Sequence, residues 1–68
     1  MTEFGKRLKE LREEKELSQQ QLALEIHYSQ STISDWENDR IDPTATTVVA
    51  VADYFDVSTD YLLGRKEI

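Results

Sequence analysis

The stretch SQQQLALEIHYSQSTISDWEND, residues 18–39, decides the fold. Ser18 is followed three residues later by Gln21. In this capping-box spacing the hydroxyl and the amide satisfy backbone donors that the first turn of a helix leaves free. Leu22, Ala23 and Ile26 then fall on one side of that helix. Ser29 offers a second N-cap. Behind it Ile33 and part of Trp36 are expected to be buried, while small polar residues take the opposite side. A tight turn at His27 would join the two helices. The small Ala23 permits close approach and the apolar Ile33 locks it.

Upstream, Phe4, Leu8 and Leu11 recur at helical spacing, with Leu17 just past Lys15. The pattern predicts an amphipathic helix from about Glu3 to Lys15. Its other face is charged, and Glu3 stands four residues before Arg7, a favourable pairing orientation. Downstream, Pro43 ends the loop NDRIDP and stops any continuation of the preceding helix. Thr44 can cap a fourth helix, in which Val48, Val51, Ala52 and Phe55 form a stripe. The run TTVVAV is rich in β-branched residues, but a lone strand has nothing to pair with, so a helix is expected. Ser58 caps a short fifth helix through Leu62 and Leu63, closed by Gly64 in a left-handed conformation. Residues 64–68 form a tail or the start of a linker. The expectation is an all-α fold, one compact five-helix domain over residues 1–68.

Composition excludes several classes of function. The 68 residues contain no cysteine and one histidine, so neither a disulfide framework nor a metal site is expected. No cofactor or small-molecule ligand is evident. With no thiol and a single histidine placed in a turn, nothing is available to activate a nucleophile, and an enzyme is not expected. No apolar run approaches the roughly 20 residues that span a bilayer. The N-terminus, MTEFGKRLKELREEK, is too charged for a signal peptide, which points to the cytoplasm. Eight basic against fourteen acidic residues give a formal charge of −6. Taken alone, that balance argues against nucleic acid or an anionic membrane as partner.

The ordered segments LREEKELSQQQLALEI, YSQSTISDWEND, DP and VADYFDVSTDYLLG nevertheless resemble the Xre/Cro-like repressor family across about residues 4–64. The helix pair of residues 18–37 has the logic of the helix-turn-helix. The resemblance implies a dimeric regulator that binds a palindromic operator in double-stranded DNA. It places Gln30, Ser31, Thr32, Ser34 and Asp35 where the recognition helix faces the bases. Gln30 is the strongest candidate reader, since an amide can bond adenine at both N6 and N7. Gln19, Asn38, Arg40, Thr44 and Thr46 fall where the family meets phosphate. Arg12 and Glu37 match an ion pair joining the first helix to the end of the third. A dimer surface is expected at Tyr54, Tyr61, Leu62, Arg65 and Ile68.

The sequence departs from the family in two respects. Glu16, His27 and Asp39 stand where glycine is usual, at positions that often need positive φ, which costs an ordinary residue about 1–2 kcal/mol. Asp35 replaces the Lys, Arg or Gln that is common there, and an acid repels phosphate unless it accepts from cytosine N4. From Ser18 to Asp42, Arg40 is the sole basic residue against five acids. Two functions therefore compete: a DNA-reading regulator, and a protein-interaction module that uses the same helices without reading DNA.

Overall fold

In the computed structural model, which describes residues 2–67, five helices follow in chain order: α1 (Thr2–Glu14), α2 (Gln19–Ile26), α3 (Gln30–Glu37), α4 (Ala45–Phe55) and α5 (Thr59–Leu62). Four of the five starts are set by the residues that the sequence nominated. The side chains of Ser18, Ser29, Thr44 and Ser58 accept hydrogen bonds from the backbone N–H of Gln21, Thr32, Thr47 and Tyr61. At Ser18 the capping box is complete, with the Gln21 amide oxygen accepting from the Ser18 N–H at 2.7 Å. Each such cap contributes on the order of 1 kcal/mol. The run TTVVAV lies inside α4 as expected.

Apolar faces of all five helices meet in one core of Phe4, Leu8, Leu11, Leu22, Ala23, Ile33, Trp36, Val48, Val51, Ala52, Phe55 and Leu62. The helical stripes predict most of this set. Trp36 goes deeper than its partial burial in the sequence reading, being only 3% exposed. Phe4 and Tyr28 both pack edge-on against its ring, with centroids 6.0 and 4.9 Å away. Fully burying a side chain the size of Phe4, Leu8, Leu22 or Ile33 stabilises by about 1.5–3 kcal/mol. A domain of this size has few such terms, so the polar locks described below matter.

Helix ends are shaped by residues in the left-handed region. Glu16 (φ 58°), His27 (φ 66°) and Asp39 (φ 58°) adopt it, the three positions at which the sequence reading expects a positive φ. Asp56 (φ 57°) does the same at the end of α4, a position that the sequence did not flag. Gly64 closes α5 with φ 80°. In that conformation His27 ends α2, and only Tyr28 and Ser29 stand between it and the first residue of α3.

Candidate nucleic-acid interface

α3 buries Ile33 and Trp36 and turns Gln30 and Ser31 outward. Thr32, Ser34 and Asp35 are half-buried. The helix is held from behind by an ion pair. Arg12 of α1 donates through Nε to Glu37 Oε2 at 2.7 Å and through Nη2 to Oε1 at 3.0 Å. The Glu37 side chain is 3% exposed and that of Arg12 11%. Arg12 Nη1 also donates to the Leu17 carbonyl at 2.8 Å, which ties the α1–α2 turn to the same group. Hydrogen bonding to Glu37 is the chief reason the guanidinium is held above its ordinary pKa, against the opposing effect of burial. The charge of Glu37 is thus consumed inside the fold.

The expected contact residues differ in how much hydrogen-bonding capacity they keep. Gln19 donates through Nε2 to Glu37 Oε1 at 3.1 Å, so one of its two N–H groups faces inward. Gln30 Nε2 lies 3.5 Å from Gln19 Oε1, which brings the starts of α2 and α3 side by side. Thr32 belongs to the cap: its hydroxyl is 2.9 Å from the Ser29 hydroxyl, and its N–H donates to Ser29 Oγ. Asn38 Nδ2 folds back onto Ser34, donating to its carbonyl at 2.9 Å. Thr44 caps α4, and its hydroxyl is 3.0 Å from that of Thr47. Thr46 is exposed in the first turn of the same helix.

Asp35 and Arg40 pair with each other. Arg40 Nη1 donates to Asp35 Oδ1 at 3.4 Å across a shallow polar concavity lined by Gln30, Ser31, Ser34, Asp35 and Arg40. Each charge offsets the other on this surface. Tyr28, overlooked in the sequence, contributes by position. Its hydroxyl shares a 2.8 Å hydrogen bond with Thr47 Oγ1 while its ring packs on Trp36, so the first turn of α4 is fastened to the turn before α3.

The geometry is that of two capped helices at a left-handed turn, the second presenting a small polar surface from a rigid base. A family model described as Helix-turn-helix matches residues 8–62, most of the chain. The chain belongs to this helix-turn-helix family. It is 38% identical over 65 residues to the HTH-type transcriptional regulator ImmR of Bacillus subtilis (strain 168), covering 96% of this chain and 51% of ImmR. It is 34% identical over 64 residues to the immunity repressor protein of Bacillus phage phi105, covering 94% of this chain and 44% of that repressor. The chain therefore spans about half the length of these curated relatives. Among solved structures, the P22 c2 repressor in complex with a synthetic operator superposes with a TM-score of 0.86 at 26% identity, covering 97% of this chain and all of that one. The restriction-modification controller protein C.AhdI from Aeromonas hydrophila gives 0.80 at 30% identity, covering 90% and 92%. The resemblance to the Xre/Cro-like repressors is upheld, and with it the all-helical helix-turn-helix fold.

The expected dimer surface is corrected at one residue. Leu62 is fully buried in the core of its own chain and has no surface to offer. Tyr54 packs edge-on against Phe55 and donates to Glu25 at 3.4 Å, while the Tyr61 ring lies under the Arg7 guanidinium at 4.4 Å. Arg65 is exposed, and Ile68 lies outside the described residues. Apolar exposure is found elsewhere: Leu24 is 72% exposed, and Ile41 and Val49 are 46% and 49% exposed. Val49 joins Pro43, Ala45, Val48, Thr59 and Leu63 along an open apolar groove.

Proposed function

We propose that this helix-turn-helix chain is the DNA-binding part of a transcriptional regulator, a repressor that reads the major groove of a palindromic operator with α3. The observation that carries the reading is the pairing of an exposed amide and hydroxyl surface, Gln30 and Ser31, with a recognition helix fixed from behind by Arg12 and Glu37. Base reading needs donors and acceptors held in place, and a rigid helix supplies them. The named relatives are regulators and repressors, which fits. Gln30 is the principal reader, with Ser31, Ser34 and Asp35 beside it and Thr32 as part of the helix cap. The remaining N–H of Gln19, the guanidinium of Arg40, and the hydroxyls and first-turn amides at Thr44 and Thr46 approach phosphate. Asn38 holds the end of α3. No catalytic chemistry is proposed, and the regulator works in the cytoplasm of a bacterium.

The acidic balance is compatible with this role. Glu37 is neutralised by Arg12, and Asp35 is partly offset by Arg40. Free N–H groups in the first turns of α2, α3 and α4 supply positive potential without basic side chains. Affinity per monomer is accordingly modest, so the protein acts as a homodimer. Its Cα envelope measures 27 × 23 × 19 Å. Half-sites about 34 Å apart bring two such bodies edge to edge once side chains are added.

Selection of bound sequences from a random DNA pool tests the reading. A palindromic motif with half-sites one helical turn apart is expected. A pool that stays featureless after repeated rounds would overturn it. Capture of a protein partner that survives loss of Gln30 would instead favour the interaction-module reading.

A further inference from the structure

Resting on the proposed approach of Thr44 to phosphate, we infer that Tyr28 is a positioning residue for that contact: its phenol turns the Thr44 hydroxyl proton outward, toward the DNA backbone. α3 packs chiefly on α1 and α2, and α4 on α5 and α2. Tyr28, in the turn before α3, links the two helices that the reading places on the duplex. Its ring lies edge-on to Trp36, with centroids 4.9 Å apart, and its hydroxyl is 2.8 Å from Thr47 Oγ1. Thr47 is 3% exposed, whereas Thr44 stands at the surface.

The direction of this hydroxyl chain follows from counting protons. Thr47 Oγ1 lies between the Tyr28 hydroxyl and Thr44 Oγ1, the latter 3.0 Å away. Each of the three hydroxyls has one proton to give and two lone pairs to receive. A phenol is a stronger acid than an aliphatic alcohol, so Tyr28 is the donor to Thr47. Thr47, accepting there, gives its own proton to Thr44. Thr44 Oγ1 also accepts the Thr47 N–H at 3.2 Å, the cap of α4. Both of its lone pairs are then engaged, and its own proton is left to donate outward. That proton is what a phosphate oxygen meets. With the chain reversed, Thr44 would spend its proton on Thr47 and show phosphate only an oxygen, which repels it.

On this account Thr44 touches phosphate and Tyr28 acts through Thr44. Tyr28→Phe keeps the ring against Trp36 and removes only the hydroxyl. Thr44→Gly removes the Thr44 hydroxyl with little loss of capping. The probe is the selected operator with one methylphosphonate, in which a methyl group replaces a charged phosphate oxygen, placed at each backbone position of one half-site in turn. At the phosphate that Thr44 meets, this should weaken the unmodified dimer on the order of tenfold. The Thr44→Gly dimer should lose about threefold or less there, which marks the position. Tyr28→Phe is expected to match Thr44→Gly at that phosphate, and the double variant to show the same residual sensitivity as either single. Base preferences should stay those of the unmodified protein, a result that loss of packing alone would not give.

A Tyr28→Phe dimer with full sensitivity at the marked phosphate would overturn the inference and leave the DNA reading standing. So would a loss spread evenly over every phosphate or a changed base preference, since Tyr28 would then only support the fold. If Tyr28→Phe abolishes sensitivity at a different phosphate, or if the two substitutions add at the same one, Tyr28 touches the backbone itself and the hydroxyl chain is not the route. If Thr44→Gly marks no phosphate in an operator that the unmodified protein selects, the inference also falls. If the unmodified protein selects no motif, the parent reading fails, and the inference with it.

Discussion

Gly5 faces the backbone carbonyl of Trp36 so closely that a Cβ built on it would lie 2.2 Å from that oxygen and 3.2 Å from the Glu37 Cα. α1 and α3 therefore touch backbone to backbone near the end of α3. In the interior of an ordinary helix, replacing glycine with alanine gains about 1 kcal/mol. Here the sign reverses, since the obstacle is main chain and cannot rotate away. Gly5→Ala is expected to destabilise by about 3 kcal/mol through overpacking. A thermal melt showing unchanged or raised stability would refute this close approach.

The Arg12–Glu37 pair is a lock whose two halves are costly to separate. Either Glu37→Ala or Arg12→Ala should lose about 3–5 kcal/mol, because the partner's charge is left in a mostly buried site. The paired substitution Arg12→Met with Glu37→Leu should recover much of that loss, since apolar groups of similar size need no partner. Chemical denaturation of the two single variants and the double variant decides it. A double variant as unstable as the sum of the singles would show that the charges do not act as a pair.

How much of this was legible in the sequence follows from the range of each interaction. Caps such as Ser18 with Gln21 are read at once because both partners lie within one turn. The core stripe Val48, Val51, Ala52 and Phe55 is read from periodicity alone. The small Ala23 was legible as a contact between neighbouring helices. Gly5 plays the same part between α1 and α3 and went unread, although a lone glycine inside a helical pattern is itself a signal of close packing. The link from Tyr28 to Thr47 and the bond from Gln19 to Glu37 join residues 19 and 18 positions apart, and neither has a local signature. Leu62, expected on the surface that pairs two copies, lies in the core for a related reason. Periodicity says that a residue is apolar and on a face, but not whether its own chain already covers that face.

Strain at the helix ends offers a way to raise stability. Glu16 and Asp56 both hold positive φ and are exposed. Glu16→Gly relieves about 1–2 kcal/mol of backbone strain. It returns about 0.5–1 kcal/mol through the freedom glycine gains when unfolded. The net gain is at most about 1.5 kcal/mol, and each 1 kcal/mol should raise the melting temperature by about 4–8 °C in a domain this small. Asp56→Gly should gain less, since aspartate tolerates this region better than glutamate. Glu16→Ala serves as the control and should gain nothing. If the glycine variant melts no higher than the alanine variant, these positions carry no recoverable strain.

On the proposed DNA-binding reading, Asp35 and Arg40 set the electrostatic cost of meeting the duplex. Their pair is solvent-exposed, with side chains 38% and 63% accessible, so it contributes about 0–1 kcal/mol to folding. Its larger effect falls on binding, because Arg40 is the one cation between Ser18 and Asp42 and Asp35 competes with phosphate for it. Asp35→Asn removes a negative charge from the reading surface and releases the guanidinium. Each additional phosphate neutralised steepens the slope of log K against log salt by about 0.9. The unmodified dimer should show a slope shallower than about −6, and the Asp35→Asn dimer, with two cations released, one steeper by about 2. Binding at low salt should tighten, while any preference for cytosine opposite residue 35 should vanish, because asparagine no longer offers a carboxylate to N4. Melting temperature should hardly move. An unchanged salt slope in Asp35→Asn would mean that Arg40 never reaches the phosphates, and that the shallow slope of the unmodified protein has another source.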